Sequence, residues 1–330
     1  MTAPAPAPAA DGDAAGLLAA AADGQRVALA RLLTWVERGG PPGREVAALA
    51  YRSGLEARTV GITGPPGAGK STLVDRIIAT ARGRGTAPLG VLAVDPSSPF
   101  TGGAILGDRV RMQDHALDPE VFIRSMASRG HLGGLALAVP EAVRVMAAAG
   151  FPLVLVETVG VGQVEVDVAG ATDTTVVVVN PRWGDAVQAN KAGLLETADV
   201  FVINKCDMPG AVETRRDLEQ MLDLSTLADW RPPVVETTAA TGDGVEALWD
   251  EIQRHQRHLD DSGALGARRA KRMARELRSV LAARITAEVD RLQAGEAFAT
   301  VAADVIAHRL DPYEAADLLV ARVLGTSPAD

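Results

Sequence analysis

Short apolar runs alternate with helical segments between residues 58 and 255. The runs are rich in Val, Ile and Leu and show little polar alternation, which is typical of strands buried on both faces of a sheet. Because helical segments separate the runs and parallel crossovers are right-handed, we expect a doubly wound, mostly parallel α/β sheet. The predicted strands are residues 59–63, 89–95, 151–158, 174–180, 199–205 and 233–239.

Helical periodicity is found on both sides of this region. Over residues 16–55 apolar residues recur at helix-like spacing, GGPPG at 39–43 breaks the pattern, and a second helix is expected from Arg44. The first fifteen residues alternate Ala and Pro and then become acidic, which is typical of a disordered tail. We therefore predict a tail, an N-terminal helical segment, a core domain and a C-terminal helical segment at residues 1–15, 16–57, 58–255 and 256–330.

The C-terminal segment carries an apolar stripe at i, i+4, i+7 spacing, with Arg and Lys on the other face. A helix packed on its own domain and a dimerisation arm both explain this pattern, and the sequence leaves the two open. The basic run at 268–272 favours a solvated helix face over an anion site. The apolar stripe consists of Met273, Leu277, Val280, Leu281, Ile285, Val289 and Leu292.

Composition excludes several classes of protein. The 330 residues include 33 basic and 42 acidic side chains, a net charge of −9, so a general nucleic-acid-binding face is not expected. The chain has no apolar run of the roughly 18–20 residues that a membrane span needs, and it starts without a signal-peptide pattern. Cys206 is the sole cysteine, which excludes an internal disulfide and a cysteine-based zinc site. We expect a cytoplasmic protein that binds neither nucleic acid nor membrane.

The segment GPPGAGKS at residues 64–71 fits the pattern G-x-x-x-x-G-K-[ST], between a predicted strand and a helix over 72–82. Glycines let backbone N–H groups wrap phosphates, and the helix N-terminus adds partial positive charge. Lys70 should reach the β- and γ-phosphates, and the Ser71 hydroxyl should ligate Mg²⁺. The alternative is a glycine-rich turn that binds nothing. The predicted phosphate-binding residues are Gly64, Pro65, Pro66, Gly67, Ala68, Gly69, Lys70, Ser71 and Thr72.

A second motif, NKCD at residues 204–207, ends a predicted strand at the sheet edge where α/β proteins bind ligands. The Asp207 carboxylate can accept hydrogen bonds from N1–H and the exocyclic amine of guanine, whereas adenine would leave it unpaired. Lys205 can lie along the base, and Asn204 can brace the loop. The alternative is a polar turn with Asp207 as a helix cap. A second base-contacting loop is expected at Thr238, Ala239 and Ala240.

Carboxylates at further strand ends predict a magnesium site beside the phosphate loop. Asp95 closes one strand, Asp108 ends the glycine-rich segment that follows it, and Glu157 closes the next strand. Helix caps are the alternative for Asp95 and Asp108. Glu157 terminates a buried run and so needs a partner. Gly160 can offer its backbone N–H to the γ-phosphate without a side chain in the way.

Five segments together resemble the MeaB/ArgK family of P-loop GTPases: GPPGAGKST, VDPSSPFTGGAILGDR, ETVGVGQ, GDAVQANKAGLLE and NKCD. The resemblance extends over residues 20–330. It implies a homodimeric GTPase that attends an adenosylcobalamin-dependent acyl-CoA mutase, gates cofactor loading and protects the mutase during turnover. It also implies Mg²⁺ with GTP or GDP, and no tightly bound cofactor of the protein's own.

The resemblance further places Asp185, Gln188 and Lys191 in the family's third switch, where the mutase would bring Lys191 to the reacting phosphoryl group. A positive charge there would act as an arginine finger does. From the pattern alone, a solvated helix residue is the better explanation of Lys191. Trp183 departs from the smaller residue expected in this segment, which leaves the identity of the mutase open. The sequence does not assign a role to Gln163.

Two other functions remain as alternatives. A nickel-type metallochaperone GTPase would need a Cys/His cluster, whereas Cys206 lies in the base motif and His255 and His258 are the nearest histidine pair. An ArgK-type kinase of amino-acid transport proteins would need phosphate transfer to protein, and the chain has no segment resembling a protein-kinase catalytic loop.

Overall fold

The computed structural model describes residues 13–96, 115, 117–128, 134–158, 170–181, 197–224 and 229–324. Within them, seven strands form one sheet in which every neighbouring pair is parallel. The strands are β1 (Arg58–Thr63), β2 (Leu89–Pro96), β3 (Val121–Ser128), β4 (Leu153–Thr158), β5 (Thr174–Val179), β6 (Val200–Asn204) and β7 (Val234–Thr237). Their order is β3-β2-β4-β1-β5-β6-β7. The predicted doubly wound parallel α/β fold is confirmed.

Helices cover both faces of this sheet and continue beyond it. The described helices are α1 (Ala14–Ala22), α2 (Arg26–Arg38), α3 (Gly40–Arg52), α4 (Lys70–Gly83), α5 (Gly134–Ala148), α6 (Ala211–Leu224), α7 (Val245–Asp261), α8 (Ala264–Gln293), α9 (Glu296–Ile306) and α10 (Pro312–Leu324). As far as the chain is described, each of these helices is too short or too polar to cross a bilayer.

Strand β4 shows why the predicted strands lack polar alternation. Val154 and Val156 pack into a core that helices α1, α2, α3 and α5 share, while Leu153 and Leu155 pack into the opposite core with α4 and α7. A strand covered on both faces must be apolar at every position. The central strand β1 lies between β4 and β5, so the chain switches from one half of the sheet to the other at β1. Ligands of such sheets bind outside the carboxyl ends of the strands at this switch.

Strand β3 is missing from the sequence prediction. It lies at the edge of the sheet beside β2, and its apolar run is interrupted by Arg124 and Ser125. Arg124 pairs with Glu37 of helix α2 at 2.8 Å and donates to the Thr34 hydroxyl at 3.1 Å. Arg124, the polar residue that interrupts the apolar run of this strand, therefore has partners about 90 residues earlier in the chain.

The prediction that a second helix starts at Arg44 is wrong. Helix α2 ends at Arg38, and α3 already begins at Gly40, with the two prolines at its first positions. Proline fits there because the first N–H groups of a helix have no intrahelical acceptor. Gly43 lies against α2: an added Cβ would come within 2.4 Å of the Trp35 carbonyl oxygen. The GGPPG sequence therefore makes a close helix–helix corner.

The chain divides into two compact units, Met1–Arg272 and Met273–Asp330. The predicted domain boundaries stay predictions; helix α7 is continuous through the proposed boundary after His255. In the second unit, the apolar stripe lies on a helix, as expected, and five of its seven side chains are exposed in the single chain, with Leu277 at 67% and Leu281 at 57%.

At the edge where the strands begin, called the amino edge here, a buried aspartate precedes β5. Asp173 is fully buried and accepts a hydrogen bond from the Thr59 N–H at 3.1 Å. Its carboxylate also pairs with Arg269 at 3.0 Å and Arg272 at 2.8 Å. Burial by itself would raise the pKa of Asp173, but the two arginines outweigh it and hold that pKa below its ordinary value.

A second buried aspartate, Asp199, precedes β6 at the same edge. Arg268 approaches its carboxylate at 2.7 Å, and Nε2 of the fully buried His255 lies 3.2 Å from it. Burial opposes the charge of Asp199, yet His255 and Arg268 lower its pKa. The other ring nitrogen of His255 lies 2.9 Å from the Thr174 hydroxyl. We call the following residues the amino-edge cluster: Asp173, Asp199, His255, Arg268, Arg269 and Arg272.

The amino-edge cluster corrects the prediction of a solvated face for the basic run at 268–272. Three of its four cations bind buried carboxylates, whereas Lys271 is exposed. The aspartates lie 69 to 99 residues earlier in the chain, so only the folded topology reveals the pairing. His255 likewise has structural partners.

Candidate functional site

The loop after β1 adopts a conformation that its glycines permit. Gly64, Gly67 and Gly69 have φ values of 138°, 76° and 89°, a region that residues with side chains rarely occupy. At Gly64 an added Cβ would lie 2.0 Å from the Val178 carbonyl oxygen, and at Gly69 it would lie 2.4 Å from the Asn204 side chain. The loop is therefore wrapped tightly against β5 and the end of β6, and helix α4 begins directly after it at Lys70.

Two side chains of the first turn of α4 make contacts beside this loop. Lys70 is buried, and its Nζ donates to the carbonyl oxygens of Gly64 at 2.6 Å and Pro65 at 3.0 Å. The buried Ser71 hydroxyl donates to Glu157 Oε1 at 2.6 Å. Glu157 ends β4, the neighbour of β1, so the two strands bring the hydroxyl and the carboxylate together. A cation and two hard oxygen ligands thus lie beside the loop.

The other predicted metal residues are only partly described. Asp95 lies near the carboxyl end of β2, two positions beyond Ala93, which pairs with Glu157. Among the described residues, His, Cys, Asp and Glu form no group of three or more that could hold a metal ion. Ser71 and Glu157 nevertheless offer the oxygen chemistry that Mg²⁺ prefers.

The NKCD turn is anchored to the phosphate loop. Asn204 donates through Nδ2 to the Ala68 carbonyl oxygen at 2.8 Å, and Lys205 Nζ donates to the Gly67 carbonyl oxygen at 2.7 Å. Lys205 has a φ of 63°, uncommon for a residue with a side chain. The Asp207 side chain is exposed. The turn and the loop, more than 130 residues apart in sequence, form one continuous surface.

The half-buried thiol of Cys206, inside the same turn, donates to the Ile203 carbonyl oxygen at 3.0 Å. Burial raises the pKa of this thiol above its ordinary value. The side chain is therefore a neutral donor that shapes the turn.

The loop at 238–240 is held next to Asn204. Asn204 Oδ1 accepts hydrogen bonds from the Ala239 N–H at 3.0 Å and the Thr237 hydroxyl at 3.1 Å. Ala239 is buried among residues of α4 and α7. On its other side, Arg76 of α4 donates to the carbonyl oxygens of Ala239 at 3.2 Å and Ala240 at 3.4 Å.

The sequence reasoning missed Arg76. No local signal marks it, because its two acceptors lie 163 and 164 residues later in the chain. Several predicted site residues lie outside the described residues, and the structure says nothing of them. These are Asp108, Gly160, Gln163, Trp183, Asp185, Gln188 and Lys191.

Comparison with known proteins gives this surface its context. A family model described as "Methylmalonyl Co-A mutase-associated GTPase MeaB" matches residues 29–294. The chain belongs to the MeaB family. It is therefore a P-loop GTPase, an enzyme that hydrolyses GTP.

Similar proteins agree with this membership. A putative GTPase of Pyrococcus abyssi is 49% identical over 307 residues, which cover 92% of this chain and 94% of the relative. The mitochondrial methylmalonic aciduria type A homolog of Mus musculus is 38% identical over 267 residues, 74% of this chain and 64% of the relative. A crystal structure of an LAO/AO transport system kinase has a TM-score of 0.70 at 26% identity, covering 94% of this chain and 97% of that chain.

Proposed function

We propose that this GTPase is the chaperone of an adenosylcobalamin-dependent acyl-CoA mutase, methylmalonyl-CoA mutase or a close relative. In this role it gates cofactor loading and protects the mutase during turnover. The observation that carries the proposal is the match to the MeaB family model over residues 29–294, a family described by its association with that mutase. The similarity to the methylmalonic aciduria type A homolog supports the same role.

The phosphate-binding part of the site is assigned to residues 64–72, which comprise the loop after β1 and the start of α4. The proposal rests on Lys70, whose contacts with two loop carbonyls are ones that a phosphate oxygen can replace. Ser71 and Glu157 would hold Mg²⁺, with Asp95 and Asp108 completing its surroundings. When bound, Mg²⁺ neutralises charge that develops on the phosphates.

Guanine recognition is assigned to the NKCD turn and the 238–240 loop. Asp207 would accept the hydrogen bonds of N1–H and the exocyclic amine, and its exposure leaves it accessible to a base. Asn204 supports this role by holding the phosphate loop with one end of its amide and the 238–240 loop with the other.

Slow hydrolysis in the isolated protein is a further part of the proposal. The sequence shows no arginine finger supplied by the chain itself, and Gly160, Asp185, Gln188 and Lys191 would complete the site when the mutase binds. A lysine delivered in this way would neutralise charge on the transferred phosphoryl group.

The experiment is single-turnover GTP hydrolysis with and without an adenosylcobalamin-dependent mutase, using methylmalonyl- and isobutyryl-type enzymes. We expect at least about tenfold acceleration by one of them, lost in Lys191→Ala. Lys271→Ala, which removes an exposed lysine outside the site, is the matched control and should respond as wild type does. An unchanged rate with every mutase would contradict the proposal.

Two further measurements, phosphate transfer to protein and nickel binding, distinguish the alternatives. Labelled phosphate found on a protein would favour an ArgK-type kinase, and stoichiometric nickel binding would favour a metallochaperone. Neither outcome affects the assignment of the GTPase family.

A homodimer is proposed from the exposed apolar stripe of the second unit. Leu277, Leu281 and Ile285 are each more than half exposed in the single chain, and such a patch marks an association surface. Light scattering should give a dimer for wild type and for Thr286→Glu, an exposed position on the opposite face of the helix. Leu281→Glu should shift the mass toward the monomer.

A further inference from the structure

Helix α4 is attached to both ends of the candidate nucleotide site. Its first residue, Lys70, contacts the phosphate loop. One and a half turns later, Arg76 donates from Nε to the Ala239 carbonyl oxygen at 3.2 Å and from Nη2 to the Ala240 carbonyl oxygen at 3.4 Å. One rigid element therefore touches the loop for phosphates and the loop for the base, about 9 Å apart along the helix axis.

The 238–240 loop has three anchors outside its own turn, in which the Thr238 N–H donates to the Asp243 carbonyl oxygen and the Thr238 carbonyl oxygen accepts from the Thr241 and Gly242 N–H groups. The Ala239 N–H donates to Asn204, the Ala239 methyl group is buried in the core, and the two carbonyls accept from Arg76. The first two anchors fix the beginning of the loop. The contact with the Ala240 carbonyl is the one made at its exposed end.

The chemistry of guanine gives this contact a function. Its 6-oxygen is an acceptor, which a backbone N–H of this loop can satisfy. A backbone N–H can donate to the 6-oxygen only if its peptide plane has the right orientation. A guanidinium that donates to two successive carbonyl oxygens fixes the orientation of the peptide planes to which those carbonyls belong. We propose that Arg76 is a positioning residue for recognition of the guanine 6-oxygen, holding the 238–240 loop in register with the phosphate loop. This inference rests on the proposed base site.

Arg76 is not needed to keep α4 in place. The apolar face of the helix is buried through Leu73 and Ile77, and near its end Arg84 pairs with Glu246 and Asp250 of α7. Arg76 itself is exposed. Its removal should therefore leave the helix folded and loosen the 238–240 loop alone.

The experiment measures GDP affinity and release in wild type, Arg76→Ala and Arg76→Lys, each with Mg²⁺. We expect Arg76→Ala to weaken GDP binding by about threefold to tenfold, through faster release, since a hydrogen-bonded charged group contributes modestly at an exposed site. KM for GTP should rise by a similar factor while kcat stays within twofold. Arg76→Lys retains the positive charge and has one donor nitrogen in place of two, so its GDP affinity should lie between those of wild type and Arg76→Ala.

A base analogue separates positioning from a general effect. The diphosphate of 2-aminopurine riboside lacks the 6-oxygen and, with it, the N1 proton. Wild type should therefore bind it more weakly than GDP, and Arg76→Ala should change its affinity by less than twofold because the contact that Arg76 positions is already missing. Equal weakening for GDP and the analogue would overturn the inference. So would equal weakening in Arg84→Ala, which removes the arginine directly after α4 without touching the loop.

Failure of the base site itself gives a different result. If wild type binds the 2-aminopurine analogue and ADP as tightly as GDP, the proposed base site is wrong before Arg76 is considered. If wild type prefers GDP and Arg76→Ala retains its full affinity, the base site stands and the role of Arg76 is wrong.

Discussion

At the amino edge of the sheet, the arginines of the amino-edge cluster form ion pairs with carboxylates. At the opposite edge, where the strands end and which we call the carboxyl edge, Lys70 and Lys205 donate hydrogen bonds to backbone carbonyls of the phosphate loop. A carboxylate neutralises an arginine, and breaking such a buried pair is costly. A carbonyl dipole does not cancel a lysine's charge, so a phosphate can replace it. Charge at the amino edge therefore serves stability, whereas in the proposed site charge at the other edge would serve binding. Both edges belong to β1, β5 and β6.

The largest effect is expected from Asp173→Ala, which leaves Arg269 and Arg272 without their buried carboxylate. The free energy of unfolding should fall by about 3–5 kcal/mol, measured by urea denaturation. The matched control is Asp250→Ala, which removes an exposed partner of Arg84 and should cost less than about 1 kcal/mol. Similar costs for the two variants would contradict a stabilising role for the amino edge.

The converse change is Lys70→Ala at the carboxyl edge. GTP turnover should fall by about a hundredfold or more, because a preorganised positive group is lost from the phosphates. Stability should change by no more than about 1 kcal/mol, since the contacts that the structure describes for this lysine are with loop carbonyls. The measurement pairs turnover with urea denaturation. A large loss of stability would mean that both edges serve the same purpose.

A smaller effect is expected from Asp207→Asn. GTP binding should weaken by about tenfold to a hundredfold, because an amide cannot accept both guanine donors. Xanthosine triphosphate carries an oxygen in place of the amine. It should bind Asp207→Asn more tightly than it binds wild type. Calorimetry with both nucleotides checks this, with Asp217→Asn on the exposed face of α6 as control. Wild type that binds ATP and GTP equally would contradict the base assignment.

The smallest effect concerns acid stability. The pKa values of Asp173 and Asp199 are lowered in the folded state, so the stability they contribute is present above the ordinary carboxyl range and is lost as the pH falls through the folded values. Unfolding free energy should be flat near neutrality and should decrease below about pH 5. Asp173→Asn lacks one of these groups and should lose less stability between pH 5 and pH 3.5. Parallel curves would show that Asp173 does not titrate differently on folding.

The fold was largely predictable because its signals are local. Every strand except β3 is visible in the sequence as an apolar run. The phosphate loop is a motif of eight consecutive residues, in which glycines adopt backbone angles that other residues rarely occupy. Strand β3 was not predicted because Arg124 interrupts its apolar run. The partner of Arg124, Glu37, lies on a helix that the sequence does not place beside the strand.

The amino-edge cluster and Arg76 show what sequence reading cannot reach. Arg268 and Asp199 are 69 residues apart, and Arg76 is separated by 163 residues from the carbonyl of Ala239. A basic residue on a helix looks the same in sequence whether it faces water or a buried carboxylate. Only the crossing of chain segments in the folded sheet distinguishes the two cases.

The position of Cys206 makes this protein a convenient object for spectroscopy. It is the only thiol in 330 residues, and it lies between Lys205 and Asp207 in the turn assigned to the purine. A thiol-directed dye would attach at a single place without any cysteine having to be removed elsewhere. The rate of that labelling, followed with and without nucleotide, would report occupancy of the turn in the unaltered chain.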